Sequence, residues 1–194
     1  MNAQIIEDSL SKIVIKCFAI EELSIEECFK RMYFLTLNIF DEILARTTNP
    51  SVREIRETTT RFYYLLVLQV RRYLDEGKFS KENQIPLIRA LDSRMAAEKL
   101  QRINELLSTI NNLPPNLMPV FSVIRDYFSR TGLSFINNDY EKSRNLWIEG
   151  KSRLKKIHIL REQNLKTKNT LLHEHILNLQ DTLRYSREIS MLVR

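Results

Sequence analysis

The sequence predicts an all-α protein, and three observations carry that expectation. Only three glycines and five prolines punctuate 194 residues, too few for a fold that brings glycine-bearing turns close to a ligand. Apolar residues recur at three- and four-residue spacing through most of the chain, the period of one helix face. The clearest break, Asn111-Asn112-Leu113-Pro114-Pro115, separates two halves that each hold three periodic segments. The expected architecture is therefore two antiparallel three-helix units, 21–113 and 114–194, stacked as one elongated bundle behind an extended connector over 1–20.

The connector is read from Lys12 to Phe18 (KIVIKCF), where β-branched residues alternate with lysines. One strand cannot stand alone, so it needs a second strand from a partner or from a segment outside this sequence, or it lies across the helices. Ser24-Ile25-Glu26-Glu27 is a capping box that starts the first helix, whose face runs Ile25, Cys28, Phe29, Met32, Thr36, Ile39, Phe40, Ile43. Asn49-Pro50 caps and opens the second helix, with a stripe from Val52 through Thr59, Phe62, Leu66 and Val70 to Tyr73 and a stop at Gly77. Its centre, Leu65 to Val67, is apolar on every side and should be the most buried stretch. The third helix starts near Asn83, with Pro86 in its first turn, and turns Ile88, Leu91, Met95, Ile103, Leu106, Leu107 and Ile110 inward.

The fourth helix carries Leu117, Val120, Phe121, Ile124, Phe128 and Phe135, with Gly132 as a point of interruption. The fifth spans about Asp139 to Gln163, with Tyr140, Trp147, Leu154 and Ile157 inward and Gly150 where a neighbour can approach closely. The sixth begins near Asn169 and buries Leu172, Ile176, Leu179, Leu183 and Ile189. Leu100-Gln101 and Ile110 fall on Leu179-Gln180 and Ile189 at one constant offset, the mark of an internal repeat.

Charge and apolar runs bound the function. The longest apolar run, Phe62 to Val70, is far short of the roughly 20 residues that span a bilayer. Cys17 and Cys28, with no secretory leader ahead of them, read as reduced thiols in a cytoplasmic protein. The net charge is +6, and nine basic against three acidic residues between Glu141 and Lys168 account for all of it. Arg144, Lys151, Arg153, Lys155 and Lys156 form the basic face of the fifth helix, suited to an acidic partner, to phosphates or to an anionic membrane face, or else simply solvated.

Chemistry has no visible carrier. His173 and His175 lie two apart, about 200° around a helix, and cannot chelate one ion. His158 sits among lysines, neither cysteine has a ligand at zinc spacing, and no glycine-rich phosphate loop or activated nucleophile is present. The aromatic cluster Phe62-Tyr63-Tyr64 has the spacing of core packing rather than of base stacking. A non-enzymatic protein without a cofactor is expected.

Five segments carry a resemblance: EDSLSKIVIKCF, IEECFKRMYFLTLNIFDEIL, TRFYYLLVLQVRRYL, LQRINELLSTI and LQDTLRYSREISML. Together they resemble the PhoU family of phosphate-uptake regulators, in particular archaeal members that join a SpoVT/AbrB-type swapped-hairpin DNA-binding domain to a PhoU domain. The family carries acidic motifs, a carboxylate followed four residues later by an aspartate, that can hold iron or zinc. Residues four apart share a helix face, so such pairs can share a metal. The matching positions here are Arg56 and Thr60, Gln101 and Glu105, and Gln180 and Arg184, of which only Glu105 is acidic. Two arginines would repel a cation, so no metal cluster of the family type is expected.

KIVIKCF resembles the connector after the swapped hairpin, so the DNA-binding part is expected either outside this sequence or absent from a stand-alone relative. What the resemblance implies is a non-catalytic regulator that contacts a phosphate-transporter ATPase, a sensor or a transcription regulator. An unpaired strand at 12–18 leaves room for a homodimer across a two-fold axis. The alternative is a transcription regulator that contacts nucleic acid, either through Lys151, Arg153, Lys155 and Lys156 or through a DNA-binding domain elsewhere.

Overall fold

The computed structural model describes residues 3–9, 12–17, 23–46, 50–76, 85–110, 112–165 and 169–193. Ser24 starts helix α1 (Ile25–Ala45) with both arms of the expected capping box: its Oγ accepts from the Glu27 N–H at 3.1 Å, and its own N–H donates to the Glu27 carboxylate at 2.8 Å. Helix α2 spans Pro50–Glu76 and α3 Leu87–Ser108. A 3-10 turn, Pro115–Leu117, leads into α4 (Met118–Ile136). Asp139 and Asn169 cap α5 (Tyr140–Asn164) and α6 (Thr170–Ser190) through side-chain oxygens that accept from Lys142 and Leu172. The expected cap at Asn49 and stop at Gly77 lie outside the described residues. Among the described residues the protein is thus the all-α bundle of six helices read from the sequence.

Two starts differ in detail. Pro86 is not inside the first turn of α3 but precedes it in an extended conformation, ψ 142°, because a proline ring clashes with a helical carbonyl four residues back. Gly132 does not interrupt α4, which runs through it. The strand at Lys12–Cys17 (β2) is present, but its partner is the chain's own Ala3–Ser9 (β1). The two pair antiparallel, Ala3 opposite Cys17 and Ser9 opposite Lys12, with an irregularity between Ile5 and Glu7. AQIIEDS has no clean alternation, which is why the periodicity missed it.

Helices α1, α2 and α3 pack on one another, as do α4, α5 and α6, and the two units meet through α1 against α4 and α3 against α6. Both meetings are antiparallel. Phe29 packs on Phe135 and Phe40 on Phe121 along one, while Lys99 pairs with Glu188 and Asn178 bonds Thr109 along the other. The core lies here: Phe29, Tyr33, Phe40, Phe121, Tyr127 and Phe128 are fully buried, each contributing about 1.5–3 kcal/mol of apolar burial.

The second unit repeats the first in its buried positions. An offset of 95 carries Phe29, Met32, Tyr33, Thr36 and Phe40 onto Ile124, Tyr127, Phe128, Thr131 and Phe135. Thr36 and Thr131 even make the same bond, each hydroxyl donating to the carbonyl four residues back at 2.8 Å. An offset of 91 carries Thr59 and Leu66 onto Gly150 and Ile157, and one of 79 carries Ala97, Leu100, Asn104, Leu107 and Ile110 onto Ile176, Leu179, Leu183, Ser186 and Ile189, all buried.

Some residues expected inside are outside. Ile88 is 48% exposed, Met95 45% and Tyr140 57%. The inner face of α3 is made instead of Ala90, Ser93, Ala96, Ala97 and Leu100. Small residues there let the neighbouring helices close in, so counting only large apolar residues selects the wrong side of the first half of α3.

Candidate functional site

The basic face belongs to α5, which packs on α4 and α6 and leaves its other side to solvent. Arg144, Lys151 and Lys155 are exposed and make no ion pair among the described residues. At about 100° per residue they fall within an arc of about 40°. Lys156 is exposed too, but about 100° around from Lys155, on the flank of the stripe. Two large apolar side chains border the same arc, Ile148 at 61% and Ile159 at 55% exposure. A face of cations interleaved with isoleucines differs from a merely solvated one, because each isoleucine leaves apolar surface in water that a partner would cover.

Arg153 stands apart from the other four. It is half-buried, its Nε lies 2.6 Å from Glu149 Oε1, and its guanidinium faces the Tyr127 ring. Glu149 also takes a bidentate bond from Arg130 at 2.7 and 3.0 Å. These bonds, Arg130 first, hold the Glu149 carboxyl below its usual range. Arg153 therefore ties α5 to α4 and offers no free charge to an anion. Sequence spacing alone could have flagged this, since Glu149 lies four residues before it.

The positions that match the family's acidic motifs are brought together only in the first unit. Gln101 Nε2 donates to Thr60 Oγ1 at 3.0 Å, and Thr60 donates to the Arg56 carbonyl at 2.9 Å. Arg56 reaches Ser108 at 3.4 Å, whose hydroxyl in turn donates to the Glu105 carbonyl at 2.8 Å. The Glu105 carboxylate points to Arg102 at 3.1 Å. This is a ladder along the α2–α3 seam with one cation, Arg56, and one carboxylate, which is neutralised from its own helix. In the second unit Gln180 Oε1 accepts from Arg161 at 3.5 Å, and Arg184 pairs with Asp181 at 3.2 Å over the Tyr185 ring. Among the described residues no three His, Cys, Asp or Glu side chains gather as a ligand set.

The remaining chemistry-bearing groups are quiet. Cys28 is fully buried, which pushes its thiol up to about 12, away from a reactive thiolate. His158 is exposed, while His175 is buried at 1% with neither ring nitrogen bonded, and that desolvation lowers its pKa. A cleft of about 380 Å³ lies where α4 gives way to α5, walled by Arg130, Asp139, Lys142, Asn145 and Glu149. Its cations already face carboxylates, Arg130 to Glu149 and Lys142 to Asp139 at 2.7 Å.

Two features escaped the sequence reading, the Glu149 hub and a set of buried polar side chains without partners. Asn104 lacks a bond at both amide atoms, Thr182 lacks one at its hydroxyl and Gln101 at its Oε1. None of these residues forms a motif, and only their burial makes them conspicuous. Among the described residues no helix is long and apolar enough to cross a membrane. No protein-family profile, curated protein or solved structure matches this chain.

Proposed function

We propose that this protein is a non-catalytic regulator of phosphate uptake or phosphate signalling that works in the cytoplasm by docking an acidic partner on the outer face of α5. The partner is a phosphate-transporter ATPase, a sensor or a transcription regulator. The observation that carries the docking is the stripe of Arg144, Lys151 and Lys155, unpaired among the described residues and bordered by exposed Ile148 and Ile159. Cations steer and orient an acidic partner, and apolar side chains between them add contact area that a bare phosphate backbone would not use. The phosphate assignment itself rests on the resemblance to PhoU regulators, which the duplicated three-helix plan accommodates.

The test is complementation. In cells lacking the gene, the wild-type chain should restore control of phosphate accumulation, whereas Arg144→Glu with Lys151→Glu and Lys155→Glu should not, at unchanged thermal stability. Full control by the triple variant would remove the α5 face from the mechanism, and no change in phosphate handling on gene loss would remove the phosphate role. A mobility shift of duplex DNA at low salt, lost in the triple variant and steeply weakened by added salt, would instead place nucleic acid on the stripe.

A further inference from the structure

The first half of α3 turns an apolar surface to solvent. Leu87, 44% exposed, joins exposed Ile88 and Met95, and half-buried Leu91 lies between them. At 100° per residue the four fall within an arc of about 100°, so they form one patch rather than scattered side chains. Arg94 stands at its edge, exposed and without an ion pair among the described residues. The β1–β2 hairpin has a surface to match. Residues paired across an antiparallel ladder share a face, and alternate residues of a strand return to it. The register therefore puts Ala3 with Cys17, Ile5 with Ile15 and Asp8 with Ile13 on one face, which is apolar but for a single acid. A two-stranded hairpin alone is marginal in water, and packing against a helix stabilises it.

Chain connectivity brings these two surfaces within reach of each other. Arg89 Nε lies 3.8 Å from Glu26 Oε1, which sets the first turn of α1 beside the first turn of α3, one residue from Ile88. Six Cα steps lead from Cys17 to Leu23 at the start of α1, a reach of about 20 Å. A tether this short keeps the hairpin beside the patch at an effective concentration on the order of millimolar.

We propose that the hairpin is a strap that closes over α3, laying its Ile5, Ile13 and Ile15 face on Leu87, Ile88, Leu91 and Met95 and setting Asp8 toward Arg94. Closed, it takes both apolar surfaces out of water, and the unpaired arginine gains a carboxylate. Open, it leaves the α3 patch to a partner, so the strap controls access to that patch. The proposal is independent of the function assigned to α5.

Cross-linking within the full chain tests it. Cys28 is fully buried, so Cys17 is the native thiol that a cysteine on the patch would meet. Leu87→Cys, Ile88→Cys and Met95→Cys are made singly and oxidised with glutathione disulfide. At least one should lose two thiols to a disulfide within one chain, a bond that needs Cα atoms about 4.4–6.8 Å apart. Leu171→Cys, exposed at the opposite end of the bundle, should form none. In the double variant Ile88→Glu with Met95→Glu, amide exchange across Lys12–Cys17 should run about tenfold faster or more. Helix content should hold, because both positions are exposed. No intrachain disulfide at any of the three patch positions overturns the proposal. So does one formed equally by Leu171→Cys, one formed only between two chains, or amide exchange that the double variant leaves unchanged.

Discussion

Tyr33 and Phe128 occupy equivalent places in the two halves of the chain, 95 residues apart, and their rings pack on each other with centroids 5.6 Å apart. Residues that are equivalent and also touch must lie beside the pseudo-two-fold axis that relates the two units. The same holds for Asn104 and Leu183, which the antiparallel register of α3 and α6 sets opposite each other: Lys99 meets Glu188 on one side of them and Thr109 meets Asn178 on the other. The axis therefore passes through an aromatic contact between α1 and α4 and a polar-on-apolar one between α3 and α6.

The aromatic end is tight. A Cβ on Gly132 would run into the Tyr33 ring, whose hydroxyl is fixed by donating to the Ser129 carbonyl at 3.0 Å. Gly132→Ala should therefore cost about 1–3 kcal/mol of overpacking, against roughly 1 kcal/mol gained in helix propensity. The expected result is a thermal midpoint lower by a few degrees. In a Tyr33→Leu background the alanine should become neutral or stabilising, and an equal cost in both backgrounds would show that the ring is not the obstacle.

The polar end should be improvable. Asn104 is fully buried and neither side-chain atom finds a partner, while the equivalent residue of the second unit is leucine. Asn104→Leu removes a desolvation penalty and should raise stability by about 1–2 kcal/mol in urea melts. A lower midpoint would mean that the amide is satisfied by a buried water that the leucine expels.

Glu149 joins α5 to α4 through Arg130 and holds Arg153 on its own helix, and its side chain is 31% exposed. Glu149→Gln should cost about 1 kcal/mol at pH 7, a value kept modest because solvent screens the pairs. The folded carboxyl titrates below its unfolded value of 4.5, so its stabilisation is present above that pH and fades as pH falls through the folded value. The gap between wild type and variant should therefore be open at pH 7 and close as pH falls through the folded value. Releasing Arg153 should also strengthen binding of an acidic partner to α5.

His175 adds a second acid sensitivity of distinct origin. Burial lowers its pKa below 6.5, so the unfolded chain takes up a proton that the folded chain refuses. Stability should be complete above about pH 6.5 and decline as pH falls below it. His175→Leu should flatten the decline between pH 6.5 and 5 in thermal melts. Imidazole resonances followed by NMR should give His175 a midpoint below 6.5, and a midpoint at or above 6.5 would contradict the burial argument.

Much of this molecule follows from the sequence alone. Few glycines, a capping box at Ser24, first-turn signals at Pro50, Asp139 and Asn169 and the Asn-Pro break at 111–115 are local, and local signals fix helix existence and ends because they act within one turn. Membership of the α5 stripe was legible for the same reason, since helical spacing alone sets which residues share a face. The tertiary structure decided what depends on neighbours. It bound Arg153, which spacing already puts on the opposite side of α5 from the stripe, to Glu149, and it chose the small-residue face of α3. It also carried the repeat, read from the sequence at offset 79, through all three helices of each unit, with an offset that falls from 95 to 91 to 79 as the second unit shortens its connections. No single alignment of the chain on itself follows that drift, but packing does, because a buried position is defined by what covers it.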